Sequence, residues 1–455
     1  MINRLSTALT LSLLAAPVAR GQAITARLDS AMKVAEKAGF SGVVRIERDG
    51  TTLLEKGYGL ANRERKLPFT AATVVQIGSN TKDFTAVAIM QLQERGRLSM
   101  ADALGKYFPT APADKRDITI AQLMNHRAGF PLGVGGDFEP IKRAAFLERA
   151  MKTPLAFTPG SKEGYSNTGY SLLAAIIEQV TGMTYDTYVQ QNILAPIGLT
   201  RTGFLLPGFK PDDLAHGYLA AGSDAGTMLG KPHDTDGPYW NLRGNGGMLS
   251  TVAEMHTFYK ELFEGTKLMK SETRALRFNP NEPIGLAGSD NVNFFLYERF
   301  PRMHTELIIA STNVTAKAPA VRRELGRILG LPDPEREPET VAHRAGGKPA
   351  STEITALIRE FVVTANSGDS AKLRSFISTH FATDPDSPSL DERVQRFGNL
   401  HETLGAMSIV RIERFDEESV EVTVNSPLQG QVQLRVFADQ QLPPLIHAVQ
   451  VRVGG

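Results

Sequence analysis

From Thr25 to Ala38 apolar residues return at helical spacing, which predicts an amphipathic helix ended by Gly39. Gly42–Arg48 and Thr51–Lys56 follow, joined by Asp49-Gly50, a strong hairpin signal. The run from Asp83 to Leu92 is apolar on nearly every face, so it predicts a helix buried in the middle of a domain, with Gly96 as its stop. Residues 97–165 read as short helices and loops. A helix through Leu172, Leu173, Ile176, Ile177 and Val180, ended by Gly182, and a shorter one around Tyr185–Leu194 come next. Segment 207–247 is loop-rich, with a flexible Gly244-Asn245-Gly246-Gly247 stretch, and a helix from about Ser250 to Glu264 follows. Strand-like runs near Ile284, at Asn291–Glu298 and at Met303–Ser311 are apolar enough for the centre of an antiparallel sheet, and a further helix ends at Gly330.

Residues 331–350 are proline-rich and charged and read as a linker. Beyond them the pattern predicts helices at about 352–365, 370–381 and 391–404, then strands at 407–413, 419–424, 430–437 and 445–453. Helices followed by strands predict a separate α+β domain over 351–455. A chain of 455 residues is long enough for two domains.

The net charge of +1, with both signs interspersed, points to no nucleic-acid partner. Arg4, the apolar stretch Leu5–Ala19 and the small residues Gly21-Gln22-Ala23 predict a signal peptide over 1–23 and an exported protein, periplasmic or secreted. The chain has no cysteine, which excludes disulfides and thiol catalysis. No later apolar run reaches the length of a membrane span. Histidines are scattered singly without ligand spacing, so no metal or other cofactor is expected.

The candidate chemistry sits where the buried helix begins. Ser79 and Lys82 are three apart, on one helical face, where backbone N–H groups lack helical partners and the macrodipole is positive. A serine there can be deprotonated by the amine while its own N–H faces a developing oxyanion. Ser30-Ala31-Met32-Lys33 has the same spacing on an ordinary amphipathic helix and reads as coincidence. Roughly eighty residues after Ser79, Tyr165-Ser166-Asn167 opens a helix. Its phenol would share the proton with Lys82, the two groups moving each other's pKa toward neutrality, while Asn167 would bond Lys82 and a substrate carbonyl or amide. Tyr239-Trp240-Asn241 is a second match, less rigidly placed, and His126 reads as a structural histidine bonded to loop backbone.

With these residues in place, positions 24 to 330 resemble the class C β-lactamase, D,D-carboxypeptidase and related esterase branch of the penicillin-recognising serine hydrolases. Ser79-Asn80-Thr81-Lys82 matches the first motif of that family and Tyr165-Ser166-Asn167 the second. Framework stretches agree in order: Leu123 to Gly129, Tyr165 to Gly182, Pro196 to Leu199 and Gly246 to Thr251. The resemblance implies an α+β fold, an α/β/α sandwich of the β-lactamase/transpeptidase type with an antiparallel sheet flanked by helices. It also implies Ser79 as nucleophile, Lys82 and Tyr165 as proton carriers, and Asn167, Gly288 and Ser289 as substrate-binding and oxyanion residues.

The third family motif departs, because Leu286 in Gly285-Leu286-Ala287-Gly288-Ser289 stands where a Lys or His belongs. A substrate carboxylate buried there would lack a partner, at several kcal/mol. The expected activity is therefore an esterase-like acyl hydrolase acting on small esters or uncharged amides. The alternatives are a β-lactamase or D,D-peptidase in which Arg243 or His304 folds in to supply the cation, and a degenerate, non-catalytic binder. An α/β-hydrolase is disfavoured, since Gly-x-Ser-x-Gly is absent. The layout of 351–455 resembles the cone-shaped roll of ketosteroid isomerase-like and nuclear-transport-factor-like proteins, which implies an accessory role or a homodimer.

Overall fold

The computed structural model describes residues 6–205, 208–219, 222–278, 280–289, 292–312, 317–332, 352–382, 389–414, 419–428, 430–438 and 445–453. The proposed linker from position 333 onward, the first five residues of the proposed signal peptide, and Asp290 and Asn291 lie outside them. The chain divides into two compact units, Met1–Leu331 and Pro332–Gly455.

The first unit is built on one antiparallel sheet. We label its strands β1 (Gly42–Arg48), β2 (Thr51–Tyr58), β3 (Ile284–Ser289), β4 (Phe294–Phe300) and β5 (Thr305–Ser311). The sheet order is β2-β1-β5-β4-β3. The main helices are α1 (Ser6–Lys37), α2 (Thr81–Glu94), α3 (Asn167–Thr181), α4 (Val252–Glu264) and α5 (Lys317–Leu329). Successive strand residues point to opposite faces, and both faces are apolar here. Val43, Phe295, Tyr297, Ile308 and Ala310 join the core that holds α2, α3 and α4. Val44, Ile46, Leu307 and Ile309 join a second core with Leu28 and Met32 of α1 and Val321 and Leu325 of α5. Helices on both faces of one sheet give the α/β/α sandwich, and each fully buried Leu, Ile or Phe contributes about 1.5–3 kcal/mol.

Two expectations need correcting. The three strand-like runs do not together form the sheet centre: β4 and β5 are interior, but β3 is an edge strand. Its residues alternate in burial but are less buried than those of β4, because its outer neighbour is the turn that carries Ser79, not another strand. The glycine stretch 244–247 is not a flexible surface loop; all four residues are buried. Among the described residues no helix is long and apolar enough to cross a membrane.

The second unit carries α6 (Thr352–Asn366), α7 (Ser370–His380) and α8 (Leu390–Leu404), then the antiparallel meander β6 (Ser408–Arg414), β7 (Ser419–Ser426), β8 (Gly430–Ala438) and β9 (Ile446–Val453). Its core is its own, centred on Ile358, Phe361, Phe397, Leu404, Val422 and Leu434.

Candidate active site

Gly78–Asn80 forms a single 3₁₀ turn that runs directly into α2, so Ser79 stands at a helix entrance. Gly78 has φ +52°, and a Cβ there would lie 2.7 Å from the Ser289 nitrogen. Only glycine combines that backbone angle with that approach. Gly288 meets the turn from the other side: a Cβ on it would lie 2.6 Å from both Ser79 N and Asn80 Oδ1, and nearer still to the Ile77 carbonyl. The two glycines bring the backbone N–H groups of Ser79 and Ser289 to one place, the arrangement that can hold an oxyanion. Asn80 ties the same edge down, with Nδ2 donating to the Tyr259 hydroxyl at 2.7 Å and to the Leu286 carbonyl at 3.3 Å.

Ser79 Oγ takes hydrogen bonds from two directions. Lys82 Nζ donates to it at 3.2 Å and the Tyr165 hydroxyl at 2.8 Å. Tyr165 precedes α3, whose N-cap is Ser166 with its Oγ accepting from Gly169 N. The approach to that cap is fixed on three sides: Ser166 N–H donates to His126 Nδ1, Ser166 Oγ to Pro131 O, and Asn167 N–H to Leu132 O. His126, at φ +55°, lays its ring 4.4 Å from that of Tyr165. Burial, with the Lys82 and Arg277 charges, pulls its pKa down to about 4, so it is a neutral positioning ring.

Lys82 is buried, and desolvation lowers its pKa to about 7 against the pull of Asp83 and Asp137. Tyr165 moves the other way: its side chain is half exposed, yet desolvation raises its pKa despite the bond to Ser79. The expected convergence of the two on neutrality therefore holds for the amine alone. Near neutral pH the site offers a free-base amine to accept a proton and an intact phenol to give one.

Asn167 lines the cavity beside Ser79, but its Oδ1 has no hydrogen-bond partner and it does not reach Lys82. The carbonyl of Asn245 takes that place, accepting from Lys82 Nζ at 2.8 Å. Asn245 is in turn held by Nδ2 bonds to Ser171 Oγ and Asn241 O, both 2.8 Å. Its only sequence signal was a polar residue between glycines. Asp83 belongs to the site as well, and its sequence signal is that it is the single carboxylate in the apolar run Asp83–Leu92. It is mostly buried, accepts from the Tyr259 hydroxyl at 2.8 Å, and burial pushes its pKa up to about 6.

Leu286 pairs with Tyr297 and packs its side chain against the main core, outside the cavity lining. Neither proposed substitute reaches the site. Arg243 is fully buried and turned onto Asp236, with bonds of 2.7 and 3.1 Å and Glu178 and Asp186 at 3.6 Å. His304 sits in the turn between β4 and β5, at the opposite end of β4 from the Phe294–Ser289 pair. The two decoys are structural as well. Lys33 pairs with Asp29 on the surface of α1. Asn241 serves Gly136, Glu139 and Asn245. Among the described residues one group could gather around a metal ion, Glu64, His216 and Asp224, and it includes none of the Ser79 residues.

A family model described as Beta-lactamase matches residues 24–295. A protein of Escherichia coli K12 named provisionally as a D-alanyl-D-alanine carboxypeptidase is 31% identical over 256 residues, 48% of this chain and 59% of that relative. The chain thus spans about six-tenths of the length of the curated relatives it matches. Among solved structures, the octameric penicillin-binding protein homologue from Pyrococcus abyssi superposes with a TM-score of 0.57 at 22% identity, covering 92% of this chain and 91% of that one. The β-lactamase/D-alanine carboxypeptidase from Pseudomonas syringae gives 0.57 at 18% identity, over 70% of this chain and 100% of the other. These structural likenesses concern the fold.

Proposed function

Because this chain belongs to the β-lactamase family of serine hydrolases, we propose that it hydrolyses small esters or uncharged amides through an acyl-enzyme on Ser79. The observation that carries this reading is the convergence on Ser79 Oγ of an amine with pKa about 7 and a neutral phenol. Ser79 Oγ attacks the carbonyl carbon as its proton passes to Lys82. The N–H groups of Ser79 and Ser289 receive the oxyanion, each donor being worth about 2.7–4 kcal/mol in the transition state. The Tyr165 phenol protonates the departing oxygen or nitrogen and is refilled from Lys82. Water then enters along the leaving-group path, gives its proton to Lys82 as it attacks the acyl carbon, and the bond to Ser79 Oγ breaks as the same pair returns a proton to that oxygen, releasing the acid. Asn167 Oδ1, buried without a partner, is an acceptor suited to a substrate N–H.

Leu286 supports substrates with no carboxylate beside the scissile bond, since its side chain is apolar and turned to the core. The names of the relatives favour a second reading, a D-alanyl-D-alanine carboxypeptidase, in which that carboxylate would go unmatched. The purified chain should hydrolyse a para-nitrophenyl ester with a burst of one nitrophenol per enzyme, and Ser79→Ala should abolish it. Faster turnover of a cephalosporin or of a D-Ala-D-Ala peptide than of the ester would reject this reading. We further read residues 1–23 as an export signal and the second unit as an accessory or dimer-forming domain.

A further inference from the structure

The cavity in front of Ser79 has a volume of about 220 Å³, and its walls carry two opposite charges, Asp137 and Lys231. Asp137 belongs to the loop before Phe138, and its field reaches Lys82. Lys231 comes from a separate short turn, Met228–Gly230, which Thr227 caps through Gly230 N–H. The turn is closed by Lys231 N–H donating to Met228 O. Lys231 Nζ spends one donor on the Ala225 carbonyl at 2.6 Å and lies 5.8 Å from the Phe138 ring centre. No carboxylate lies within ion-pair distance of it among the described residues, so two N–H donors remain for a ligand. The Asp224 carboxylate feels this ammonium without reaching ion-pair distance, so Lys231 can still take an anion from the cavity side.

Resting on the acyl-hydrolase reading above, we propose that Lys231 selects acyl donors carrying a carboxylate remote from the scissile carbonyl. The two charges sort substrates by position. An anion beside the scissile bond gains no cation from position 286, where an apolar Leu286 is turned to the core, and it lies in the Asp137 field near Lys82. An anion at the far end of the acyl chain meets Lys231. The substrate class is thus the half-ester or half-amide of a dicarboxylic acid, neutral at the reacting end and charged at the other. Lys231 touches no reacting atom; it is a specificity residue that acts through charge complementarity.

The test compares para-nitrophenyl butyrate with the mono-para-nitrophenyl ester of glutaric acid, using the full chain. The expected kcat/KM ratio favours the glutarate about tenfold at low salt and shrinks as ionic strength rises. In Lys231→Met the ratio should fall to about one, and Lys231→Arg should restore most of it, which separates charge recognition from a packing defect. A wild-type ratio near one, or a preference that persists in Lys231→Met, overturns the proposal while leaving the hydrolase reading intact. No turnover of either ester, with Ser79 unlabelled by a fluorophosphonate, overturns both.

Discussion

Lys82 Nζ donates to the carbonyl oxygen of Asn245 at 2.8 Å, which holds the amine of the first motif to a loop that carries no motif at all. A carbonyl fixes the position of an ammonium without neutralising it, so burial is left to decide the pKa. A carboxylate in the same place would keep Lys82 charged and unable to accept the Ser79 proton. The carbonyl instead leaves a base that is half deprotonated at about pH 7.

The rate should follow that base. For a neutral ester, log kcat/KM is expected to rise with a slope near one up to about pH 7 and then level off, because only free-base Lys82 can take the proton. The plateau should last until Tyr165, whose pKa lies above its ordinary value, loses its proton. A profile that is flat from about pH 5 to about pH 9 would remove Lys82 from the base role.

The same burial has a thermodynamic sign. The folded pKa of Lys82 lies below its unfolded value, so the unfolded chain binds more protons between the two values and stability rises with pH there. Below about pH 7 the full penalty applies; above it the penalty shrinks and vanishes near the ordinary lysine pKa. Lys82→Met should therefore be more stable than the parent at and below neutral pH, with the gain fading as pH rises through the alkaline range. Urea denaturation across that range measures it; a gain that grows with pH would contradict the assignment.

Much of this was legible in the residues. Ser79, Lys82 and Tyr165 announce themselves because each needs a helix entrance, and caps and apolar periodicity are local signals. The third motif shows in the sequence only as a departure, and where Leu286 turns depends on β3 lying at the sheet edge. Asn245 was hidden for a different reason. It acts through its main-chain carbonyl, which every residue has, so nothing in its side chain marks it. Lys231 and Asp137 are brought to one cavity by loops more than ninety residues apart, as tertiary packing alone can do.

Arg243 should prove a stability residue. It is the buried cation shared by Asp236, Asp186 and Glu178, and burial pushes the pKa of Asp186 up to about 7 even with the arginine present. Arg243→Met strands these carboxylates and should cost about 3–5 kcal/mol in denaturant unfolding at pH above 7. The deficit should narrow as pH falls and the stranded carboxyls take up protons. A loss below about 1 kcal/mol would show that the cluster is solvated rather than paired.

Gly288→Ala separates the oxyanion donors from the rest of the site. The new Cβ would fall 2.6 Å from Ser79 N and Asn80 Oδ1, so strand and turn must part. Because β3 is an edge strand, it can swing outward without opening the core, carrying the Ser289 N–H away from the Ser79 N–H. The expected result is a fall in kcat of about 10²–10³-fold, the loss typical of one oxyanion donor, with a smaller change in KM and a fold that still melts cooperatively. Gly285→Ala, three residues earlier on the same strand, supplies the control. A Cβ there meets only Glu298 Cγ at 3.9 Å, an ordinary contact, and activity should be retained. Equal activity in the two variants would mean that Ser289 does not serve the oxyanion, and that the close approach of β3 to the Ser79 turn is only packing.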